Sequence, residues 1–353
     1  MGRALKFFVV LAAAAMAVAP LPRGTVERLY ARGMYPLVQP RLTALTNRTP
    51  FAWFDAMLVT AAGAIVALWI VRLARRRRGA LRTIGGLALD TSAIAAVLYL
   101  WFLAAWGLNY RREPLHAQLD FREDRITREH LRDLGLRNVQ SLNALYKEAH
   151  AGAWPELHAV PGGLAPAFAR AQQDLGMAWR AEPGLPKRSL FNFYFTRVSI
   201  DGMTDPFFLE TLANQSLLPF ERAATVAHEW SHLAGYADES EASFLGWLVC
   251  MRGSAAEQYS GWLSLYFTVI GSLPRADREE ISRALEPGPR RDLQAIRARI
   301  QAHVVPIASR AGYALYDRYL KANRVEAGVR SYGEVIRLLL GTRFNEDGSP
   351  VLR

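Results

Sequence analysis

Five consecutive residues, His228-Glu229-Trp230-Ser231-His232, form an HExxH motif. Residues four positions apart lie on one face of an α-helix, so the imidazoles of His228 and His232 can bind a single metal ion if this segment is helical. Glu229 would then lie beside a metal-activated water molecule and could accept its proton. The motif therefore predicts a zinc site with Glu229 as the general base.

The residues around the motif favour the helix that this chemistry requires. From Glu221 to Ala234 the chain contains neither proline nor glycine, and Gly235 follows as a helix C-cap. We therefore expect the helix to end soon after the second histidine, where the chain turns into an acidic segment.

That acidic segment contains three candidates for a third zinc ligand. Catalytic zinc usually has three protein ligands and leaves the fourth position for water. Asp238 and Glu241 have the spacing of a capping box, which gives both side chains a structural role, whereas Glu239 is left to turn toward the histidines. Glu239 is the predicted ligand. Glu241 and Asp238 remain alternatives, Asp238 because HExxHxxGxxD is a spacing at which an aspartate binds zinc.

Other kinds of site are disfavoured. Cys250 is the only cysteine, which excludes intrachain disulfides and cysteine-rich metal sites. The chain has no nucleophile-elbow, Walker or dinucleotide-binding motif. Hydrolysis at a zinc site also needs a hydrogen-bond donor for the developing oxyanion, and Tyr316, Tyr332 and His303 are the candidates.

The apolar residues are concentrated in the first third of the chain. A helix of about 20 apolar residues crosses the hydrocarbon core of a bilayer, and we expect transmembrane helices at about residues 5–21, 51–72 and 88–108. The first segment also resembles a signal peptide, since it ends in small residues, but Pro20 disfavours cleavage and favours a retained anchor. Residues 1–109 are thus predicted to be a membrane anchor and residues 110–353 a separate domain.

A dense group of arginines lies between the second and third apolar segments. Arginine-rich short loops remain in the cytoplasm, so the C-terminal domain is expected on the outer side of the membrane. The net charge of +11 does not indicate nucleic-acid binding, because the basic residues form no aromatic-interleaved face. The arginines of the loop are Arg72, Arg75, Arg76, Arg77, Arg78 and Arg82.

The C-terminal domain has mainly helical patterns. We expect helices at Ile126–Ala149 and Gly261–Leu273, with a Pro/Gly-containing connector near Trp154–Pro166. Aromatic residues alternate along Leu190–Ile200, which meets an Asp-Gly turn before Phe207–Leu212 and predicts a β-hairpin. Its edge could bind an extended peptide through the backbone, and an ordinary edge that covers the core is the alternative. A capping box of Ser331 and Glu334 predicts a final helix over Val335–Leu340.

Three blocks in this order resemble a bacterial membrane-protein family, the domain of unknown function numbered 3810. They are Trp106–Arg112, the motif leading into Glu239–Phe244, and Tyr316–Asn323. The resemblance covers nearly the whole chain and implies a protein of the bacterial inner membrane.

That family is similar to gluzincin-type zinc peptidases, whose third ligand is a glutamate that opens an E-x-x-A helix. Glu239 and Ala242 match this pattern, so the resemblance implies Glu239 as a ligand and a zincin-like fold. Many gluzincins have aspartate or asparagine after the alanine to orient a ligand, whereas this chain has Ser243.

Together these features predict a mainly α fold with a small β-hairpin or sheet, and a membrane-anchored metallopeptidase that binds Zn²⁺ and cleaves peptides near the bilayer. Two alternatives are a non-catalytic zinc-binding receptor or scaffold and a zinc amidohydrolase of the cell envelope. The sequence does not predict the oligomeric state.

Overall fold

The computed structural model describes residues 2–74, 79–325 and 333–353. Within these ranges the protein is mainly helical and has one small three-stranded sheet, so the predicted fold class is confirmed. Three predictions concern residues outside the described ranges: the arginine run at 75–78, Ser331, and the candidate donor Tyr332.

Two helices in the first third are long and apolar enough to cross a membrane, which indicates a membrane protein. They are α4 (Trp53–Ala74) and α5 (Ala80–Ala105), and they correspond to the second and third predicted spans. The first predicted span is only 16 residues long, α1 (Arg3–Val18). It reaches the required length only together with the following helical segment (23–46), from which it is bent by 119°.

Helix α1 packs alongside α5 and is fixed at both ends. Near its start, Lys6 forms an ion pair with Asp90 of α5, which also pairs with Arg72 of α4. Near its end, Arg111 donates a hydrogen bond to the carbonyl of Met16, with 3.0 Å between nitrogen and oxygen. The first apolar segment is thus an integral part of this helical group.

The segment between the first two apolar helices contacts the C-terminal part of the chain. It comprises α2 (Arg23–Val26), a π-helical stretch (Glu27–Met34) and α3 (Tyr35–Thr46). The Tyr35 hydroxyl donates to the carbonyl of Leu233 at 2.9 Å, and the α3 residue Thr43 donates to a buried carbonyl at 2.8 Å. Residues assigned above to the anchor therefore help to build the domain that carries the HExxH motif.

The C-terminal part is a packed group of helices. Helix α6 begins after Thr127, whose side chain accepts a hydrogen bond from the His130 amide, and its apolar face packs against the helix at Ala255–Ser272. The helices predicted at Ile126–Ala149 and Gly261–Leu273 are both confirmed. The helices are α6 (Arg128–Ala149), α7 (Val160–Asp174), α8 (Asn192–Val198), α9 (Arg222–Leu233), α10 (Glu239–Met251), α11 (Ala255–Ser272), α12 (Arg275–Arg283), α13 (Pro287–His303), α14 (Pro306–Ala322) and α15 (Val335–Gly341).

Helix α7 corrects the connector predicted near Trp154–Pro166. The helix starts at Val160 and includes Pro166, because buried Leu164, Phe168 and Ala171 recur at helical spacing and pack into the core. Burial of this apolar face outweighs the local cost of proline and glycine.

The sheet contains β1 (Pro186–Lys187), β2 (Gly202–Asp205) and β3 (Glu210–Ala213), in the order β1-β3-β2. Strands β2 and β3 form an antiparallel hairpin and β2 lies at the edge. The hairpin prediction is wrong in its first strand, since Leu190–Ile200 contains α8. The buried residues there are Phe195 and Val198, three positions apart, so the burial follows a helical period and not the alternation of aromatic residues. The prediction is also wrong in its turn, since Gly202 begins β2 and the chain reverses at residues 206–209.

Candidate metal centre

Helix α9 carries the HExxH motif and ends where the sequence predicts. Gly235 has a φ of 89°. Its amide donates to the carbonyl of His232, and the Tyr236 amide donates to the carbonyl of Ser231, at 2.9 and 3.2 Å. These two bonds form a Schellman motif, which needs a residue with positive φ at the position of Gly235. The chain leaves α9 in the direction that lets α10 return alongside it.

Helices α9 and α10 lie unusually close together at His228. A β-carbon added to Gly246 of α10 would lie 3.0 Å from the backbone nitrogen and α-carbon of His228. Such a distance is shorter than ordinary van der Waals contact, so glycine is needed for this packing. The close approach places the first residue of α10, Glu239, across from both histidines.

The side chains of His228, His232 and Glu239 converge on one point. Their potential ligand atoms all lie within 4.8 Å of one another. Glu239 Oε2 is 3.1 Å from His228 Nε2 and 3.4 Å from His232 Nε2. Two imidazoles and a carboxylate are a donor set that suits zinc, so this arrangement could hold the ion.

The two alternative carboxylates point elsewhere. Asp238 caps α10 by accepting a hydrogen bond from the Ser240 amide at 2.8 Å. Glu241 accepts one from the Leu115 amide at 2.6 Å, instead of completing the predicted capping box with Asp238. Burial raises the pKa of Glu241 to about 7. The geometry thus brings Glu239 to the histidines, and neither Asp238 nor Glu241.

Charges within the cluster attract one another. Burial by itself would lower the pKa of His232, but the Glu239 carboxylate outweighs it and raises that pKa to about 9. Burial would likewise raise the pKa of Glu239, yet the two imidazoles outweigh it and hold that pKa well below its usual range. The buried carboxylate is therefore kept in the charged form that a cation needs.

Further groups orient both imidazole rings. His232 Nδ1 lies 2.7 Å from the carbonyl oxygen of Tyr236, so the Nδ1–H tautomer donates there and leaves Nε2 toward the cluster. Trp106 donates its indole N–H to the carbonyl of His232 at 3.0 Å. His228 Nδ1 lies 3.4 Å from the Ser243 hydroxyl, so Ser243 occupies the position from which a ligand-orienting aspartate or asparagine would act.

Glu229 lies beneath the edge strand β2. The hydroxyl of Thr204 is 2.9 Å from Glu229 Oε2 and 2.8 Å from its backbone carbonyl oxygen. Gly202 passes so close that an added β-carbon would lie 2.6 Å from Glu229 Oε1. Glu229 is only 4% exposed, and this burial raises the pKa of its carboxyl group. A raised pKa suits a group that accepts and then returns a proton.

The three candidate donors have different positions. Tyr316, on α14, donates its hydroxyl to Glu239 Oε1 and thus reaches the cluster. The Nδ1 of His303 bonds to the Arg299 carbonyl at the exposed end of α13, and His303 is outside the group of converging ligands. Tyr332 lies outside the described residues.

Sequence reasoning missed Thr204 and gave no role to Trp106. Thr204 is 25 positions before Glu229, and Trp106 is 126 positions before His232, so no local spacing pairs them. Trp106 appeared only within a block that resembles a known family. The predicted hairpin placed Thr204 between its two strands, so the sequence indicated neither β2 nor its contact with the motif.

A family model described as a protein of unknown function (DUF3810) matches residues 30–340. The match includes the HExxH motif, Glu239, Trp106 and Tyr316. No curated protein and no solved structure matches the chain.

Proposed function

We propose that this chain, which belongs to the DUF3810 family of proteins of unknown function, is a membrane-anchored zinc metallopeptidase of the gluzincin type. The observation that carries the proposal is the convergence of two histidines and one glutamate within 4.8 Å, with a buried second glutamate from the same motif beside them. In this reading His228, His232 and Glu239 hold the zinc ion. A zinc ion bound there would lower the pKa of a water molecule toward 7 and polarise a carbonyl group.

Glu229 is the proposed general base. Its carboxylate accepts a hydrogen bond from the Thr204 hydroxyl, and burial raises its pKa, which makes it a stronger base toward the water molecule whose proton it would take and pass to the leaving amine. No side chain of the site is required as a nucleophile, so the reaction proceeds without a covalent intermediate.

Strand β2 is the proposed docking edge for the substrate. Its register with β3 runs from Gly202, opposite Ala213, to Asp205, opposite Glu210, and β2 lies at the edge of the sheet formed by the described strands. An extended peptide can bond to such an edge through its backbone. Because Gly202 and Thr204 contact Glu229, a peptide on β2 would lie beside the general base.

Tyr316 is the proposed donor for the developing oxyanion. Its hydroxyl donates to Glu239, which places a hydrogen-bond donor beside the proposed zinc ligands, where a bound carbonyl would be polarised. The candidate His303 lies at the exposed end of α13 and bonds to a backbone carbonyl of its own helix.

The proposed location is the bacterial inner membrane. Helices α4 and α5 cross the bilayer, the arginine-rich loop between them is cytoplasmic, and the metal centre lies on the outer side. With this topology the start of α4 and the end of α5 both lie at the outer surface, so the metal centre must lie near these two helix ends. The hydrogen bond from Trp106, directly after α5, to His232 supports this placement.

The test uses the full-length protein in detergent or nanodiscs. Elemental analysis should find about one zinc per chain, and a peptide library should be cleaved in a chelator-sensitive way. Glu229→Gln should retain the zinc and lose at least about 10³-fold in turnover, because the base is removed and the ligands remain. Glu148→Gln, at an exposed position of α6, is the matched control.

The same experiment separates the alternatives. A receptor or scaffold would bind zinc and cleave no peptide in the wild type. An envelope amidohydrolase would cleave non-peptide amides and leave the peptide library intact. Absence of stoichiometric transition metal would rule out all three zinc-dependent functions.

A further inference from the structure

One residue near the outer end of α5, Phe102, contacts both sides of the metal centre. Its ring centroid is 6.1 Å from that of Phe207, in the turn that joins β2 to β3, and 6.4 Å from that of Tyr319 on α14. Tyr319 in turn stacks on Tyr316 at 5.9 Å, and Tyr316 bonds to Glu239. Only two layers of aromatic rings therefore separate a proposed transmembrane helix from a proposed zinc ligand.

The same turn is held by both transmembrane helices. The Trp101 indole N–H of α5 donates to the carbonyl of Phe207 at 2.9 Å, and Phe54 of α4 stacks on the Phe207 ring at 6.2 Å. Because β2 ends at this turn, the membrane-facing end of the docking edge rests on the ends of the two spans. A peptide bound along β2 would run toward the bilayer surface.

An exposed apolar surface continues from the outer end of α4. We call it the interfacial patch and define it as Phe51, Trp53, Leu190 and Phe193, which are 50%, 37%, 72% and 61% exposed. Isolated exposed apolar residues are ordinary. These four, however, are joined to the start of a span and belong to two separate segments that converge there.

Hydrogen bonds join the two segments of the patch at the first turn of α4. Asp55, in the first turn of α4, accepts hydrogen bonds from the Ser189 hydroxyl at 2.8 Å and the Leu190 amide at 2.7 Å. Lys187 donates to the Phe51 carbonyl at 3.2 Å. The entry to α8 is thus tied to the outer end of α4, where aromatic and apolar side chains commonly contact lipid headgroups.

We infer that the interfacial patch rests in the outer leaflet of the bilayer and that the metal centre acts on peptide segments adjoining a membrane anchor. The substrate class in this inference rests on the proposed peptidase function. The lipid contact does not depend on any activity. Lipid is the occupant because the patch is continuous with the apolar surface of α4. Confining enzyme and substrate to one membrane surface also raises their effective concentration.

The lipid contact is tested with nitroxide labels on the full-length protein in vesicles of phosphatidylethanolamine and phosphatidylglycerol. Cys250 is buried and burial raises the pKa of its thiol, so a cysteine introduced at the surface is labelled selectively. A label at Phe193→Cys should collide more with oxygen than with a water-soluble nickel complex. Phe267→Cys, an exposed position whose native ring packs against Arg297, is the control and should show the opposite preference. Equal collision profiles at the two positions would overturn the lipid contact.

The substrate class is tested by presenting one cleavable sequence in two forms: as a free peptide, and fused to a transmembrane helix in the same vesicles. The wild type should cleave the anchored form on the order of a hundredfold faster at equal total concentration. The double variant Leu190→Glu/Phe193→Glu should lose about tenfold on the anchored form and keep the free-peptide rate. Equal rates for the two forms in the wild type would overturn the inferred substrate class. If neither form is cleaved, the proposed function fails, and the label measurement still decides the lipid contact.

Discussion

The indole N–H of Trp106 donates a hydrogen bond to the backbone carbonyl of His232, and the two rings meet edge to face at 6.1 Å. Trp106 is the first residue after α5, so a helix that we place in the membrane is joined directly to a proposed zinc ligand. Trp106 also packs edge-on against Tyr110, which contacts Tyr319 beside the candidate metal centre. The last turns of α5 thus support the centre, and the HExxH motif is not positioned by α9 and α10 alone.

The first prediction follows from this contact. Trp106→Phe removes the donor to the His232 carbonyl and should weaken zinc binding by about 10- to 100-fold, as loss of groups that orient metal ligands commonly does. Competition with a chromophoric chelator measures the affinity. Trp154→Phe is the matched control, because the Trp154 indole N–H is buried without a hydrogen-bond acceptor among the described residues. Equal affinities for both variants would show that Trp106 only fills space.

The second prediction concerns the third ligand. Glu239→Ala should lose stoichiometric zinc, since it removes one of three protein ligands. Asp238→Ala should keep the zinc and lose about 1 kcal/mol of stability through the missing helix cap. Zinc content by elemental analysis and unfolding in detergent separate these effects. If zinc persists in Glu239→Ala and is lost in Glu241→Gln, the third ligand is Glu241 and not Glu239.

The helices that form the candidate site could be predicted from local sequence. The contacts of the site with distant parts of the chain could not. The boundaries of α9 were predictable because no helix breaker interrupts it and a glycine ends it, and Asp238 was recognisable as the cap of α10. Glu241 was placed in a capping box, yet it bonds to Leu115, which is 126 positions earlier. Spacing rules describe neighbours along a helix, and cannot identify an acceptor for a distant backbone amide.

The small sheet was likewise predictable from the sequence only in part. An antiparallel hairpin in this region was predictable from local chemistry, but Asp201-Gly202 is not its turn, because Gly202 begins β2 and the chain reverses at residues 206–209. The strand predicted at Leu190–Ile200 was wrong, because three alternating phenylalanines fit a strand as well as a short helix. Burial of Phe195 and Val198, which lie on one face of a helix, favours the helix over the strand. Ser199, with a φ of 62°, ends it.

The third prediction uses the close approach of β2 to the general base. In Gly202→Ala the new β-carbon would lie 2.6 Å from Glu229 Oε1, so the carboxylate must move. We expect kcat to fall by about 10- to 100-fold, because displacements of about 1 Å at a catalytic group have effects of this size, while zinc content stays unchanged. Gly152→Ala, whose β-carbon would meet nothing within 4 Å, is the control. An unchanged kcat would argue against Glu229 as the base.

The fourth prediction concerns the pH dependence of stability. Asp205, at the end of β2, is fully buried, and burial raises the pKa of its carboxyl group to about 8 against 3.8 for the unfolded chain. Between about pH 4 and pH 8 the folded protein therefore holds a proton that the unfolded chain releases, so this group makes the free energy of unfolding fall as pH rises. The contribution is complete below about pH 4 and lost above about pH 8.

Asp205→Asn removes this titration and should make the melting temperature in detergent decline less steeply between pH 5 and pH 8 than in the wild type. The comparison uses the slope with pH, because the substitution also alters the hydrogen bonds that Asp205 accepts from the amides of Phe207 and Phe208 at 2.9 Å and thus shifts stability at every pH. Asp133→Asn makes the same change at an exposed position of α6. A slope that is unchanged in Asp205→Asn would mean that Asp205 is already ionised across this range, with the two amides outweighing the cost of burial.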